Sequence, residues 1–113
     1  MTIVNTTPHM INVVTGNGIR QFEKSDCQIR VAAKTEEIKE EDGIKLFKEH
    51  QGDPVIEDPT DVMHNAEILI MSRIAASKCR TMKDFEKYRI WIPGDLIRDE
   101  VGVIVGCKGF IEV

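Results

Sequence analysis

The side chains that could do chemistry sit in four short stretches. They are Thr7 and His9 within Asn5-Thr6-Thr7-Pro8-His9, Arg30 in an alternating run, Ser72-Arg73 after Ile68-Leu69-Ile70-Met71, and Asp95 with Arg98 within Pro93-Gly94-Asp95-Leu96-Ile97-Arg98-Asp99-Glu100. Imidazole titrates near neutral pH, so His9, placed after a rigid proline in a polar loop, can serve as an acid–base group or a ligand contact. It can equally donate a ring hydrogen bond to a carbonyl and tie two loops together. A helix beginning at Ser72-Arg73 would expose free backbone N–H groups and the positive end of its dipole, which favour phosphate or carboxylate. The arginine adds a possible bidentate contact. The competing reading makes Ser72 only the cap of its helix. Asp95 could accept from ribose hydroxyls or a base while Arg98 grips a phosphate. Alternatively, Asp95 is a turn residue and Arg98-Asp99 an exposed ion pair at a hairpin.

Other chemistries lack a physical basis in the spacing. A set of Ser72, His9 and Asp95 has the composition of a hydrolytic triad but not the G-x-S-x-G elbow that exposes a nucleophilic hydroxyl. His9, His50, His64 and the three cysteines show no metal-ligand spacing. Neither a phosphate-binding G-x-x-x-x-G-K-S/T loop nor G-x-G-x-x-G occurs. No catalytic residue, metal or cofactor is therefore assigned, and the seven residues Thr7, His9, Arg30, Ser72, Arg73, Asp95 and Arg98 are taken as a composite ligand-binding set.

Three motifs carry a resemblance. The opening Asn5-Thr6-Thr7-Pro8-His9, the central I-L-I-M-S-x-x-A-A from Ile68 to Ala76, and the closing P-x-D-L-x-R-D-E-x-G-x-I-x-G-C-x-G from Pro93 to Gly109 resemble a family of small proteins encoded by bacteriophages, prophages and bacteria. Most of that family carries no assigned activity. The resemblance implies a phage-type accessory protein working in the host bacterial cytoplasm, and it adds weight to Pro8 and His9 as family-like residues. By analogy with small phage proteins as a class, the expected ligand is a nucleotide-derived signal of bacterial anti-phage defence.

Composition bounds the remaining possibilities. A chain of 113 residues is long enough to bury one core as a single globular domain spanning 1–113. With four Phe, one Tyr and one Trp, that core must be mainly aliphatic. Nineteen acidic residues against 15 basic ones leave a net charge of −4, so no basic field exists for general nucleic-acid binding. Three cysteines at wide spacing argue for free thiols in a reducing cytoplasm. No signal peptide or membrane-length apolar run is expected, and hence no membrane partner.

The elements that must position these groups read as an α+β fold. The spacing predicts a small, mostly antiparallel, curved β-sheet with one or two short helices packed on it. Met10 to Val14 and Ile19 to Phe22 flank Thr15-Gly16-Asn17-Gly18 as a β-hairpin. Cys27, Ile29, Val31 and Ala33 alternate as a half-buried strand, with Arg30 pointing outward or into a cleft. Glu36 to Asp42 reads as a solvated strand edge or turn, and Glu49 to Asn65 as a loop that is either a flap or a mobile connection. Ile68 to Met71 is a strand buried on both faces. Ser72 caps a helix, and Thr81 a second one ending near Arg89. Arg89 to Ile92 returns as a strand, and Asp99 to Gly102 turns a closing hairpin.

The leading expectation is a protein that binds and sequesters a small anionic or nucleotide-like ligand without turning it over. One alternative is a small nucleotide hydrolase with His9 as base or nucleophile and Asp95 as its orienting partner. Another is an interaction module that inhibits a host protein through an exposed sheet edge. A homo-oligomer is expected, because an edge strand as apolar as Val103 to Val105 must be paired or covered.

Overall fold

The computed structural model describes residues 2–113 and has an α+β fold with ten strands, one short α-helix and two 3-10 turns. β1 (Ile3–Asn5) leads into the Thr6–His9 loop. β2 (Ile11–Thr15) and β3 (Gly18–Phe22) form the hairpin dictated by Gly16-Asn17, with Thr15 opposite Gly18. β4 (Gln28–Glu41) and β5 (Ile44–Glu57) are 14 residues each and pair only with one another. Asp42 and Gly43 join them with φ of 51° and 76°, the positive pair that a two-residue type I′ turn requires. A 3-10 turn at Val62–Asn65 precedes β6 (Ile68–Ile70), which runs into α1 (Arg73–Cys79). A second 3-10 turn at Lys83–Phe85 is followed by β7 (Arg89–Pro93), β8 (Leu96–Arg98), β9 (Ile104–Cys107) and β10 (Phe110–Glu112).

The strands are distributed over two four-stranded sheets and the separate β4–β5 ribbon. The first sheet has the order β1-β6-β7-β10, with β1, β6 and β7 parallel and β10 antiparallel to β7. Its middle strand β6 is an uninterrupted apolar run because both of its faces are covered, and Ile68, Leu69 and Ile70 are all 0% exposed. On one face Leu69, Met71, Ile90 and Ile92 pack with Phe85, Tyr88 and the small side chains Ala75, Ala76 and Cys79 of α1. Those small residues let the helix backbone approach closely. On the other face Trp91 stacks on Phe110 at 5.3 Å, and Phe110 meets Phe22 of β3 edge-on at 5.2 Å, which ties the first sheet to the second.

The second sheet has the order β3-β2-β9-β8. Its centre depends on Gly106, where an added Cβ would lie 2.9 Å from the Asn12 carbonyl oxygen, so only glycine lets β9 come this close to β2. Among the described residues, no helix is long and apolar enough to cross a membrane.

Several sequence expectations are corrected. Glu36 to Glu41 is a solvated strand with Asp42 in the turn, in keeping with its charge block, whereas Glu49 to Glu57 is not loop but strand, leaving only Asp58 to Asn65 irregular or 3-10. Thr81 caps no second helix. Its hydroxyl donates back to the Lys78 carbonyl at 2.7 Å, and the following 3-10 turn has Met82 at its cap. Val103 to Val105 is paired on one side, where Ile104 meets Arg98 of β8, while β9 meets β2 farther along, at Val13–Cys107. The strands pair mostly antiparallel, as expected, in four of seven ladders, and the other three are parallel.

Candidate functional site

The loop that presents His9 is built by the side chains preceding it. Asn5 is buried, and its amide nitrogen donates to the His9 carbonyl at 2.8 Å and to the Phe22 carbonyl at 2.9 Å. Its amide oxygen accepts from the Thr7 backbone N–H at 3.0 Å and lies 2.6 Å from the Thr7 hydroxyl. Thr6, fully buried, donates its hydroxyl to the Ile70 carbonyl at 2.7 Å. Gln28 closes the arrangement by donating to the Thr7 carbonyl at 3.1 Å. The polar stretch that interrupts β1 is thus a hydrogen-bonded knot fixed to β6, β3 and β4, and it leaves Pro8 and His9 exposed.

His9 stands at the wall of a cavity of about 310 Å³. The remaining wall comes from Met10, Ile11 and Asn12 of the β2 side, Pro93 and Leu96 flanking the Gly94-Asp95 turn, and Ile104 to Cys107 of β9. The Asn5–His9 loop and the Pro93 turn therefore meet, because β2 and β9 pair in parallel and carry both segments to the same place. The wall is mostly aliphatic. Its exceptions are His9 and Asn12, and the Asn12 side-chain oxygen is buried without a hydrogen-bond partner. An unpaired buried acceptor costs about 1–3 kcal/mol. A second, more open depression adjoins the first through His9 and Met10, and adds Pro8, Glu23 and Lys24.

Of the expected binding set, only His9 reaches this cavity. Thr7 is buried, and its hydroxyl is engaged with Asn5 and the His9 carbonyl. Arg30 lies on the ribbon and pairs with Glu57 at 2.9 Å, with both side chains more than half exposed. Ser72 accepts from the Ala75 backbone N–H at 3.2 Å, which is the helix-cap role. Arg73 lines a different depression, with Gln51, Ile74, Ser77 and Lys78. Asp95 is exposed in its turn, where its backbone carbonyl accepts from Lys108 at 2.9 Å. Arg98 donates to the Gly102 carbonyl at 2.9 Å and so braces the Asp99–Gly102 turn. Among the described residues, no group of three or more His, Cys, Asp or Glu side chains is placed to hold a metal ion.

Asn12 is the site residue that sequence reasoning missed. The available signal was an asparagine inside Met10-Ile11-Asn12-Val13-Val14, a polar side chain disfavoured in strands amid an otherwise apolar run. Cys107, also in the wall, is buried and free. Comparison of the chain with protein-family models, with curated proteins and with solved structures finds no match, so the resemblance of its motifs stands on those residues alone.

Proposed function

We propose that this protein captures a small nucleotide-like ligand in the cavity beside His9 and holds it without chemical change. The observation that carries this reading is Asn12, which stands with His9 in a mostly aliphatic wall and whose buried, unpartnered side-chain oxygen would turn toward a bound ring. Aliphatic walls suit the faces of a planar ring, and a single buried acceptor suits a ring N–H or amino donor, which together describe a nucleobase. About 310 Å³ lies at the lower end of the range for small-molecule sites. His9 and Lys24, at the adjoining open depression, are positioned to meet an anionic group attached to that ring. The ligand's origin as a signal of anti-phage defence rests on analogy with small phage proteins as a class.

The test is calorimetric titration with nucleosides, nucleoside monophosphates and cyclic dinucleotides, followed by recovery of the ligand. Asn12→Leu removes the acceptor while keeping the side chain's size. It should weaken binding tenfold or more, about 1.4 kcal/mol. The unliganded variant should unfold at the same urea concentration as wild type or a higher one, since an unpaired polar atom has gone. His9→Ala should weaken binding of the phosphate-bearing compounds only. Binding that ignores Asn12→Leu, or ligand recovered cleaved, would reject the reading, the second outcome in favour of a hydrolase.

A further inference from the structure

Charge is segregated along this chain. Residues 36–45, the outer end of the β4–β5 ribbon, carry five acidic groups against Lys39 and Lys45, net −3. Residues 73–89 carry six basic groups against Asp84 and Glu86, net +4, in a chain whose total is −4. Some of these charges are engaged internally. Arg80 donates to the carbonyls of Phe85, Tyr88 and Val113, and Arg89 pairs with Glu112. Arg73 and Lys78 instead line, with Gln51, Ile74 and Ser77, a depression of about 250 Å³ beside α1, in which Ile74 is half exposed.

The ribbon end offers the complementary surface. The register places Glu37 opposite Phe47 and Glu40 opposite Lys45, and since side chains alternate along β5, all four share one face. Phe47 on that face is 56% exposed, and Ile38, the unpaired residue of the bulge beside it, is 54% exposed. A two-stranded ribbon has no interior of its own and is marginal unless something covers it. From Ala33 to Glu41 it extends by roughly 30 Å, far enough to reach a neighbouring molecule.

We propose that the acidic outer end of the β4–β5 ribbon of one copy docks into the Arg73–Lys78 depression beside α1 of a second copy. Carboxylates then meet the two cations while Phe47 and Ile38 cover Ile74. Reciprocated about a two-fold axis, the contact closes a dimer in which each copy supplies one ribbon and one depression. Opposite net charges steer the encounter, and salt screens it. This inference stands apart from the ligand cavity, to which none of these residues belongs.

The mass of the protein, followed by light scattering and sedimentation over a concentration series at low and high salt, tests the contact. A dimer is expected at low salt, at least tenfold weaker at high salt. Glu37→Lys with Glu40→Lys should weaken it tenfold or more, and so should Arg73→Glu with Lys78→Glu. Mixing these two variants should restore a dimer, because each supplies the surface that complements the other's reversal. Failure of a variant to fold would show in its own thermal transition, and restored dimer on mixing excludes that cause. A wild-type mass that stays at 12.8 kDa at every concentration overturns the proposal. So does a dimer indifferent to both reversals, or a mixture that remains monomeric.

Discussion

The Asn5 side chain shows how one residue turns a polar interruption into a rigid mount. Its amide is used at both ends, donating twice from the nitrogen and accepting twice at the oxygen. Removing it would leave several buried backbone and hydroxyl groups without partners. Asn5→Ala is therefore expected to lower unfolding free energy by about 2–4 kcal/mol in urea titrations, whereas His9→Ala, at an exposed position, should change it by less than about 0.5 kcal/mol. A loss at Asn5 as small as that at His9 would show that the knot does not hold the loop. The T-P-H motif was legible as a place of interest, but the division of labour within it was not. Types alone mark Thr7 and His9 as equally available, and only the fold shows that Thr7 is consumed inward while His9 is left out. The same holds for the arginines. Sequence identifies guanidinium groups, but Arg30, Arg73 and Arg98 are held on the ribbon, the helix and the β8–β9 turn, so they never converge.

Elements with a buried face were readable, and the full length of the elements without one was not. The β2–β3 hairpin announces itself by Gly-Asn between apolar runs, β6 by four consecutive apolar residues, and α1 by Ser72 ahead of Ile74, Ala75 and Ala76. The outer halves of β4 and β5 carry no period-two burial because both faces of a lone ribbon meet solvent, so alternation, which reports half-burial, has nothing to report. The signal that remained was Asp42-Gly43, the dipeptide favoured by a two-residue hairpin turn. Because the ribbon's outer end contributes nothing to the core cluster or to the cavity wall, it should be dispensable for both. Replacing residues 36–48 by a two-residue Asn-Gly turn, which joins the paired Thr35 and Glu49, should leave affinity for the proposed nucleotide ligand within about twofold and the cooperative unfolding transition intact, as read by calorimetry. Loss of ligand binding in that variant would mean that the ribbon takes part in the site.

At the scale of the molecule the chain is more extended than its length requires. Its radius of gyration is 17.1 Å, with extents of 56 × 41 × 23 Å, against about 13 Å for a compact chain of this size. The ribbon accounts for much of that excess. What holds the whole together is the aliphatic core around α1, in which burial pushes the Cys27 and Cys79 thiols up to about 11. The sign follows from linkage. The unfolded chain begins to lose these protons near pH 9 while the fold retains them to about 11, so above pH 9 the unfolded state binds fewer protons and gains on the native state. Stability should hold constant, as far as these thiols are concerned, up to about pH 9. It should then fall by as much as about 1.4 kcal/mol per pH unit for each thiol until about pH 11. Denaturant midpoints measured from pH 7 to 11 check this, with Cys27→Ala and Cys79→Ala expected to flatten the slope.

The turn at Asp42-Gly43 divides the chain in a way that has a bearing on its durability. Residues before it supply β1 to the first sheet, β2 and β3 to the second, and β4 to the ribbon, and residues after it supply every partner strand that lies across from them apart from the β2–β3 pairing itself. The two halves are therefore woven through one another rather than laid side by side. A protease that nicks the exposed tip severs the polymer but not the weave, and the pieces stay together as a non-covalent pair. The exposed peptide bonds of the ribbon tip are thus bonds whose loss leaves the weave in place.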